Sequence, residues 1–209
     1  MTILKTQNLT KHFDGVKAVD NLSISIEKGK ITGIIGPNGS GKTTLINLLS
    51  GMFPFDSGIV VVGGAESLTK IRPYDIFSFG ITRTFQNVRL FEQMPVLDNL
   101  LVVLTKRSVA SSLFEKHKEF HIKQAENILE KIGLLEKRNQ LAANLSYGQR
   151  KLLEIGRALA TDSDVYLLDE PFAGLFPQMV EIVSKIINEL KAEGKTVILI
   201  EHNMSLIRK

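Results

Sequence analysis

The sequence predicts an α/β fold with a mainly parallel sheet, antiparallel strands ahead of it and a helical subdomain inserted into it. Three observations carry this expectation. Ile31-Thr32-Gly33-Ile34-Ile35 is a short apolar run that leads through a glycine-rich loop into a helical pattern at Thr43 to Leu49. Val165 to Leu168 and Val197 to Ile200 are apolar runs separated by a helical stripe and a break at Gly194. Strand, helix, strand in that order is a crossover between parallel strands. Between these two regions, from about residue 88 to residue 160, helix signals dominate.

Taken in order, Leu22-Ser23-Ile24-Ser25-Ile26 alternates apolar and polar residues, as a half-exposed antiparallel strand does. Glu27 to Lys30 is the turn that closes it, and Ile31 to Ile35 reads as a strand buried on both faces. Asp56-Ser57-Gly58 is a turn before the β-branched run Ile59 to Val62. Ala125, Ile128, Leu129 and Ile132 form one apolar helix face that ends near Gly133. Leu152, Leu153, Ile155, Gly156 and Leu159 form another, and Val183, Ile186, Ile187 and Leu190 stripe the crossover helix. Asp98 and Asn99 before Leu100 to Leu104 read as a helix start. The expected organisation is a single domain over 1–209. Residues 1–87 and 161–209 form its core, and 88–160 form the inserted helical subdomain.

Composition narrows the function classes. The chain has 209 residues, 44% of them hydrophobic and 23% charged, which suits a globular core and argues against disorder. Cysteine is absent, so disulfides, thiolate metal sites and a cysteine nucleophile are excluded. No apolar run approaches the roughly 20 residues that cross a bilayer, and Met1 to Lys5 lacks the layout of a secretory signal. A cytosolic address is the default expectation. The 26 basic and 22 acidic residues leave a net charge of +4, compatible with a phosphate ligand or an anionic surface without predicting either.

One motif carries chemistry. Gly36-Pro37-Asn38-Gly39-Ser40-Gly41-Lys42-Thr43 fits G-x-x-x-x-G-K-[ST] between a strand and a helix. Its glycines let the backbone turn N–H groups onto phosphate oxygens, and the helix that follows adds its positive dipole end. Lys42 reaches for β- and γ-phosphates, and the Thr43 hydroxyl is a Mg²⁺ ligand. Asp169, at the end of the strand Val165 to Leu168, supplies the carboxylate such a loop needs to hold the metal. Glu170 follows, placed to take a proton from water attacking the γ-phosphate.

With these residues in hand the chain resembles the ABC-type ATPases, the nucleotide-binding subunits of transporters. Leu145-Ser146-Tyr147-Gly148-Gln149 is similar to the family's signature loop, Gln86 to its Q-loop glutamine and His202 to its switch histidine. Phe13 precedes the phosphate loop by about the distance of the aromatic that stacks on adenine. The resemblance implies a P-loop NTPase core with ATP and Mg²⁺ as ligands. Gly36, Pro37, Asn38, Gly39, Ser40, Gly41, Lys42, Thr43 and Thr44 would bind the nucleotide, with Ser146, Gly148 and Gln149 meeting a second subunit's ATP. Thr43, Gln86 and Asp169 would hold the metal, while Lys42, Gln86, Glu170 and His202 would serve catalysis. The implied partners are a second ABC ATPase subunit, transmembrane permeases and, indirectly, a solute-binding protein, with no nucleic acid. The implied place is the cytoplasmic face of the cell membrane, as a peripheral subunit. Tyr147, Arg83 to Phe91 and Ala173-Gly174-Leu175 are similar to the ATPases of branched-chain amino acid importers. Importers for amides and urea carry similar text, and the motor of another transporter, such as a urea, amide or lipopolysaccharide system, stays open as an alternative.

Two features depart from that family. Phe176 stands where its D-loop usually has Asp or Asn, which either disturbs communication between two sites or packs at their interface. Seven residues follow His202, where the family continues through further strands and helices, so the expectation is a truncated tail, an uncovered sheet edge beside Val197 to Ile200 and low stability. A chain so shortened could also bind ATP without productive turnover. His117 and His121 invite a zinc-protease reading, but Lys118 stands where that motif needs Glu, which leaves a solvated helix face. His12 reads as an exposed residue rather than a catalytic one.

Overall fold

The computed structural model describes residues 1–64, 66–104 and 119–201. Contacts divide the chain into two compact units. The first comprises Met1–Arg83, Ser163–Pro171 and the chain from Ile187 onward; the second comprises Thr84–Asp162 and Phe172–Ile186. Phe172–Ile186, which the sequence pattern leaves with the core, thus groups with the helical residues.

The first unit contains both sheets. β1 (Thr2–Phe13) pairs antiparallel with β2 (Val16–Leu22), β3 (Ser25–Glu27) and β5 (Ser57–Val62), and β5 pairs with β6 (Glu66–Leu68). Asp14 and Gly15, both at positive φ, make the two-residue turn between β1 and β2. The parallel sheet has the order β4 (Ile31–Ile35), β9 (Thr196–Glu201), β8 (Val165–Asp169), β7 (Ile81–Arg83). β8 and β9 are buried along their whole length, and the crossover between them is the helix α5 (Pro177–Ala192), as the pattern predicts.

α1 (Lys42–Leu49) ties the sheets together. Leu45, Ile46, Leu48 and Leu49 form one buried side of the helix, and Thr43, Thr44 and Asn47 on its other side are half-buried. The four apolar residues share one core with Leu4, Leu9 and Val60 of the antiparallel sheet and Ile81, Leu167 and Ile198 of the parallel one. The second unit holds α2 (Val96–Leu104), α3 (Glu119–Lys131) and α4 (Tyr147–Ala160), packed through Leu100, Leu129, Ile132, Leu153 and Ile155.

The structure corrects four sequence expectations. The alternation Leu22 to Ile26 is not one strand: β2 ends at Leu22 and β3 starts at Ser25. The buried Thr6 hydroxyl donates to Leu22 O at 2.9 Å and accepts from Ile24 N at 3.1 Å, taking both groups out of a regular ladder. β4 is half exposed rather than buried on both faces, because among the described residues it is an edge strand paired only with β9. β9 itself is interior, so the last apolar run of the described chain is not a free edge. α2 begins at Val96, ahead of Asp98 and Asn99. His117 lies outside the described residues, and His121 sits edge-on to Phe120.

Leu48 has no exposed surface and lies in the core that joins the two sheets. Leu48→Ala is expected to lower unfolding free energy by about 2–5 kcal/mol, read as a fall in the urea midpoint at unchanged slope.

Candidate functional site

The phosphate loop runs from β4 into α1. Gly41 is the N-cap at φ 85°, and a Cβ there would lie 2.2 Å from the Ala18 carbonyl oxygen. Only glycine fits, so β2 backs the loop at backbone contact distance. Leu45 N donates to Gly41 O at 2.8 Å, which starts the helical ladder and leaves the preceding amides without helical acceptors. No side chain caps this end. Those amides are therefore offered to an anion, with the helix dipole behind them. Pro37, Asn38, Gly39 and Ser40 are exposed, and Thr43 and Thr44 are half-buried at the start of the helix. Lys42 is 7% exposed, and its Nζ donates to Gly36 O and Pro37 O, both at 2.8 Å. The ammonium is thus held inside the loop's own curve. A cavity of about 680 Å³ opens beside it, lined by Ala18, Val19, Ile34, Gly36, Gly41 and Lys42.

Two carboxylates end β8 in the same unit. Asp169 is buried, with Arg83 Nη2 at 3.8 Å from its Oδ2. Arg83 Nη1 also donates to Asn47 Oδ1 at 2.8 Å and Ser50 Oγ at 2.7 Å, so one guanidinium links the end of β7 to α1 and to the carboxylate. Glu170 is 9% exposed and has φ 49°, a left-handed backbone that costs a residue of its type about 1 kcal/mol or more. Its N–H donates to Ile200 O at 3.0 Å, so β9 holds it in that conformation. Strain held in place at a candidate base points to function. Phe13, at the end of β1, is 38% exposed; it meets Phe53 edge-on at 5.4 Å and has the Lys11 ammonium 5.3 Å from its ring. His12 is exposed and binds Asp56 through its N–H at 2.7 Å, as a structural residue does. His202 lies outside the described residues.

The signature residues open α4 in the second unit. Ser146 is the N-cap: its Oγ accepts from Gln149 N at 3.3 Å, and Gln149 Oε1 accepts from Ser146 N at 3.1 Å. This reciprocal capping box was legible in the Ser-x-x-Gln spacing. Gly148 is buried, and a Cβ there would lie 2.6 Å from Met179 Sδ. Gly174, at φ 71°, lets the Tyr147 ring approach to 2.9 Å of where its Cβ would be. Two separate subfamily traits of the sequence are therefore one contact. Phe176 is 74% exposed and starts α5, accepting from Met179 N and Val180 N ahead of Pro177.

Gln86 is exposed in a bend after β7. The residues around it are anchored from α4. Glu154 Oε1 accepts from Phe85 N at 3.3 Å and from Arg89 N at 3.2 Å, and Arg157 Nη1 donates to Arg89 O. Burial pushes the Glu154 carboxyl up to about 7, against the two amide hydrogen bonds and the charges of Lys151 and Arg157. Asn99, with no exposed surface, accepts from Phe91 N at 3.0 Å and donates to Phe91 O and Pro95 O at 3.1 Å each. Sequence reasoning took Asn99 for a helix start and gave Glu154 and Arg83 no role. A charged or amide residue on an otherwise apolar helix face was the available signal.

A glycine-rich anion loop, a buried carboxylate and a strained glutamate at the ends of parallel strands define a P-loop nucleotide triphosphatase core. The family description ABC transporter matches residues 19–173. A probable branched-chain amino acid transport ATP-binding protein of Methanocaldococcus jannaschii is 41% identical over 99% of this chain and 82% of its own length. A high-affinity branched-chain amino acid transport ATP-binding protein of Escherichia coli K12 is 37% identical over 98% and 84%. Among solved structures, the ADP conformation of an ATP-binding cassette of an ABC transporter superposes with TM-score 0.83 at 41% identity, covering 99% of this chain and 84% of that one. A dimeric, post-hydrolysis cassette bound to ADP and Pi gives 0.86 at 25% identity over 99% and 90%. The chain belongs to the ABC transporter family, as an ATP-binding cassette of the ABC ATPase type. Among the described residues no helix is long and apolar enough to cross a membrane.

Glu154 makes stability depend on pH. Its folded-state value near 7 lies above the ordinary 4.5, so the stability it contributes is complete below pH 4.5 and is lost as pH rises through 7. Glu154→Gln removes that titration. The variant is expected to match the wild type near pH 4.5 and to exceed it by on the order of 3 kcal/mol at pH 8, measured by urea unfolding at both pH values.

Proposed function

We propose that this chain is the ATP-hydrolysing subunit of an importer for branched-chain amino acids. The observation that carries the solute class is 37–41% identity, over nearly the whole chain, to proteins named for that transport. The Tyr147–Gly174 contact supports the same reading, because both residues belong to the subfamily text.

ATP enters with its adenine on Phe13 and its phosphates on the amides of Gly36 to Thr44. Lys42 exchanges the Gly36 and Pro37 carbonyls for β- and γ-phosphate oxygens, a short swing for a flexible stem. Thr43 and Asp169 are hard oxygen donors of one unit and would suit Mg²⁺, and Gln86 would be the third residue to hold it. When bound, Mg²⁺ neutralises charge that develops on the phosphate oxygens. Glu170 orients a water and takes its proton as the water oxygen bonds to the γ-phosphorus and the bond to the β-phosphate oxygen breaks, leaving ADP and phosphate. His202 contacts the γ-phosphate.

Ser146, Gly148 and Gln149 face the ATP of a second ATPase subunit, with the capped N-terminus of α4 aimed at the γ-phosphate. Phe176 belongs to the same contact, which gives its exposed ring a place to pack. Closing on ATP and reopening after hydrolysis moves the permease subunits, against which the chain sits on the cytoplasmic face of the membrane. A solute-binding protein delivers the amino acid on the other side.

Glu170→Gln removes the proton acceptor and keeps the nucleotide contacts. Turnover is expected to fall by about 10²–10⁴-fold, while light scattering shows the mass doubling on adding ATP and Mg²⁺. A mass that stays monomeric with ATP bound counts against a sandwich of two such chains. Doubling only after the second, different ATPase chain is supplied assigns a heterodimer.

A further inference from the structure

Glu154 is buried and unused by the hydrolysis steps above. It lies two turns along α4 from the Ser146 cap, on the face turned to the Gln86 segment. Its Oε1 accepts from the N–H groups of Phe85 and Arg89, which bracket Gln86 on both sides. Its Oε2 is buried without a hydrogen-bond partner among the described residues. Arg157, nearly one turn further, holds the carbonyl of Arg89 and lies 5.0 Å from the Phe91 ring centroid. The Arg89 guanidinium in turn covers the Phe85 ring at 4.1 Å.

We propose that Glu154 is the positioning residue for Gln86, clamping its loop to the signature helix through the two flanking amides. The segment from Thr84 to Phe91 has no helix or strand ladder to fix it, and Gln86 itself is exposed. An exposed side chain reaches one place reproducibly only if its backbone is held, and the two amides are where it is held. Packing alone does not explain the residue, since an apolar side chain would fill the same volume without burying a charge beside one unpartnered oxygen. The acceptor is what the position requires. The clamp sits on the helix whose cap is the signature loop, and both loops lie in the second unit.

The inference rests on the reading of Gln86 as a group acting on the metal and the attacking water, and the test separates the two. Glu154→Met keeps the volume and removes the acceptor; Glu154→Gln keeps an amide oxygen for the same two N–H groups. Both are compared with Gln86→Ala and with the Gln86→Ala/Glu154→Met double variant on the full chain. Glu154→Met is expected to lower kcat about tenfold or more, the loss of one to two hydrogen bonds to a charged acceptor. ATP affinity stays within about twofold, since the phosphate loop is untouched. Amide hydrogen exchange at Phe85 and Arg89 rises in Glu154→Met and not in Glu154→Gln, which keeps its kcat within about threefold of wild type. In the Gln86→Ala background, Glu154→Met costs nothing further.

Unchanged kcat and exchange in Glu154→Met would overturn the proposal. So would a Glu154→Gln variant as slow as Glu154→Met, or additive losses in the double variant. Wild-type turnover in Gln86→Ala would sink the reading of Gln86 instead, and amide exchange would still decide whether Glu154 holds the loop.

Discussion

The close approach of Gly41 to the Ala18 carbonyl is the constraint on which the rest of the core depends. It presses the phosphate loop against β2, while the helix that follows is enclosed by apolar residues of both sheets. The N-terminal amides of α1 are thereby held open by a helix that cannot shift. Anion binding at such an end needs no reorganisation when charge develops on the ligand, which is where preorganised dipoles act most strongly. The same packing explains why Leu45, Ile46, Leu48 and Leu49 line the buried side of α1, whose N-terminus has no capping side chain. A cap would occupy the groups the loop presents.

Around this fixed loop the polar residues are held by strain and by hydrogen bonds. Glu170 is kept at positive φ by its N–H bond to Ile200 O, so β9 sets the direction of the carboxylate that follows Asp169. Arg83 reaches from β7 to Asn47 and Ser50 on α1 and approaches Asp169, giving the buried carboxylate a fixed positive neighbour. The positive φ of Glu170 costs stability locally, and the buried strands β8 and β9 make it possible.

The helical unit uses buried polar side chains as its joints. Asn99 closes the turn from Phe91 to Pro95, and Glu154 with Arg157 holds Phe85 to Arg89. Neither turn has a ladder of its own, so a side chain supplies the acceptors and donors that secondary structure supplies elsewhere. The Tyr147 ring against Gly174 is a third joint, tying the start of α4 to the segment before α5. The Phe176 ring, at the start of α5, is exposed.

Much of this was legible in the sequence because it is local. The loop from Gly36 to Thr43, the run Val165 to Asp169 and the stripe Val183 to Leu190 each state their element through spacing alone, and the family text around Ser146 and Gln86 names the class. What depends on partners distant in the chain was not legible. The alternation from Leu22 to Ile26 looks like one strand until the Thr6 hydroxyl, sixteen residues away from Leu22, takes its hydrogen bond. Ile31 to Ile35 reads as doubly buried, but neighbours in the sheet decide that, and among the described residues its only one is β9. The partners of Glu154 were hidden for the same reason: they lie 69 and 65 residues back in the chain. The sequence by itself determined which chemistry is present, because the motif residues are contiguous. Tertiary structure alone decided what holds them in place, because those contacts join residues that spacing never brings together.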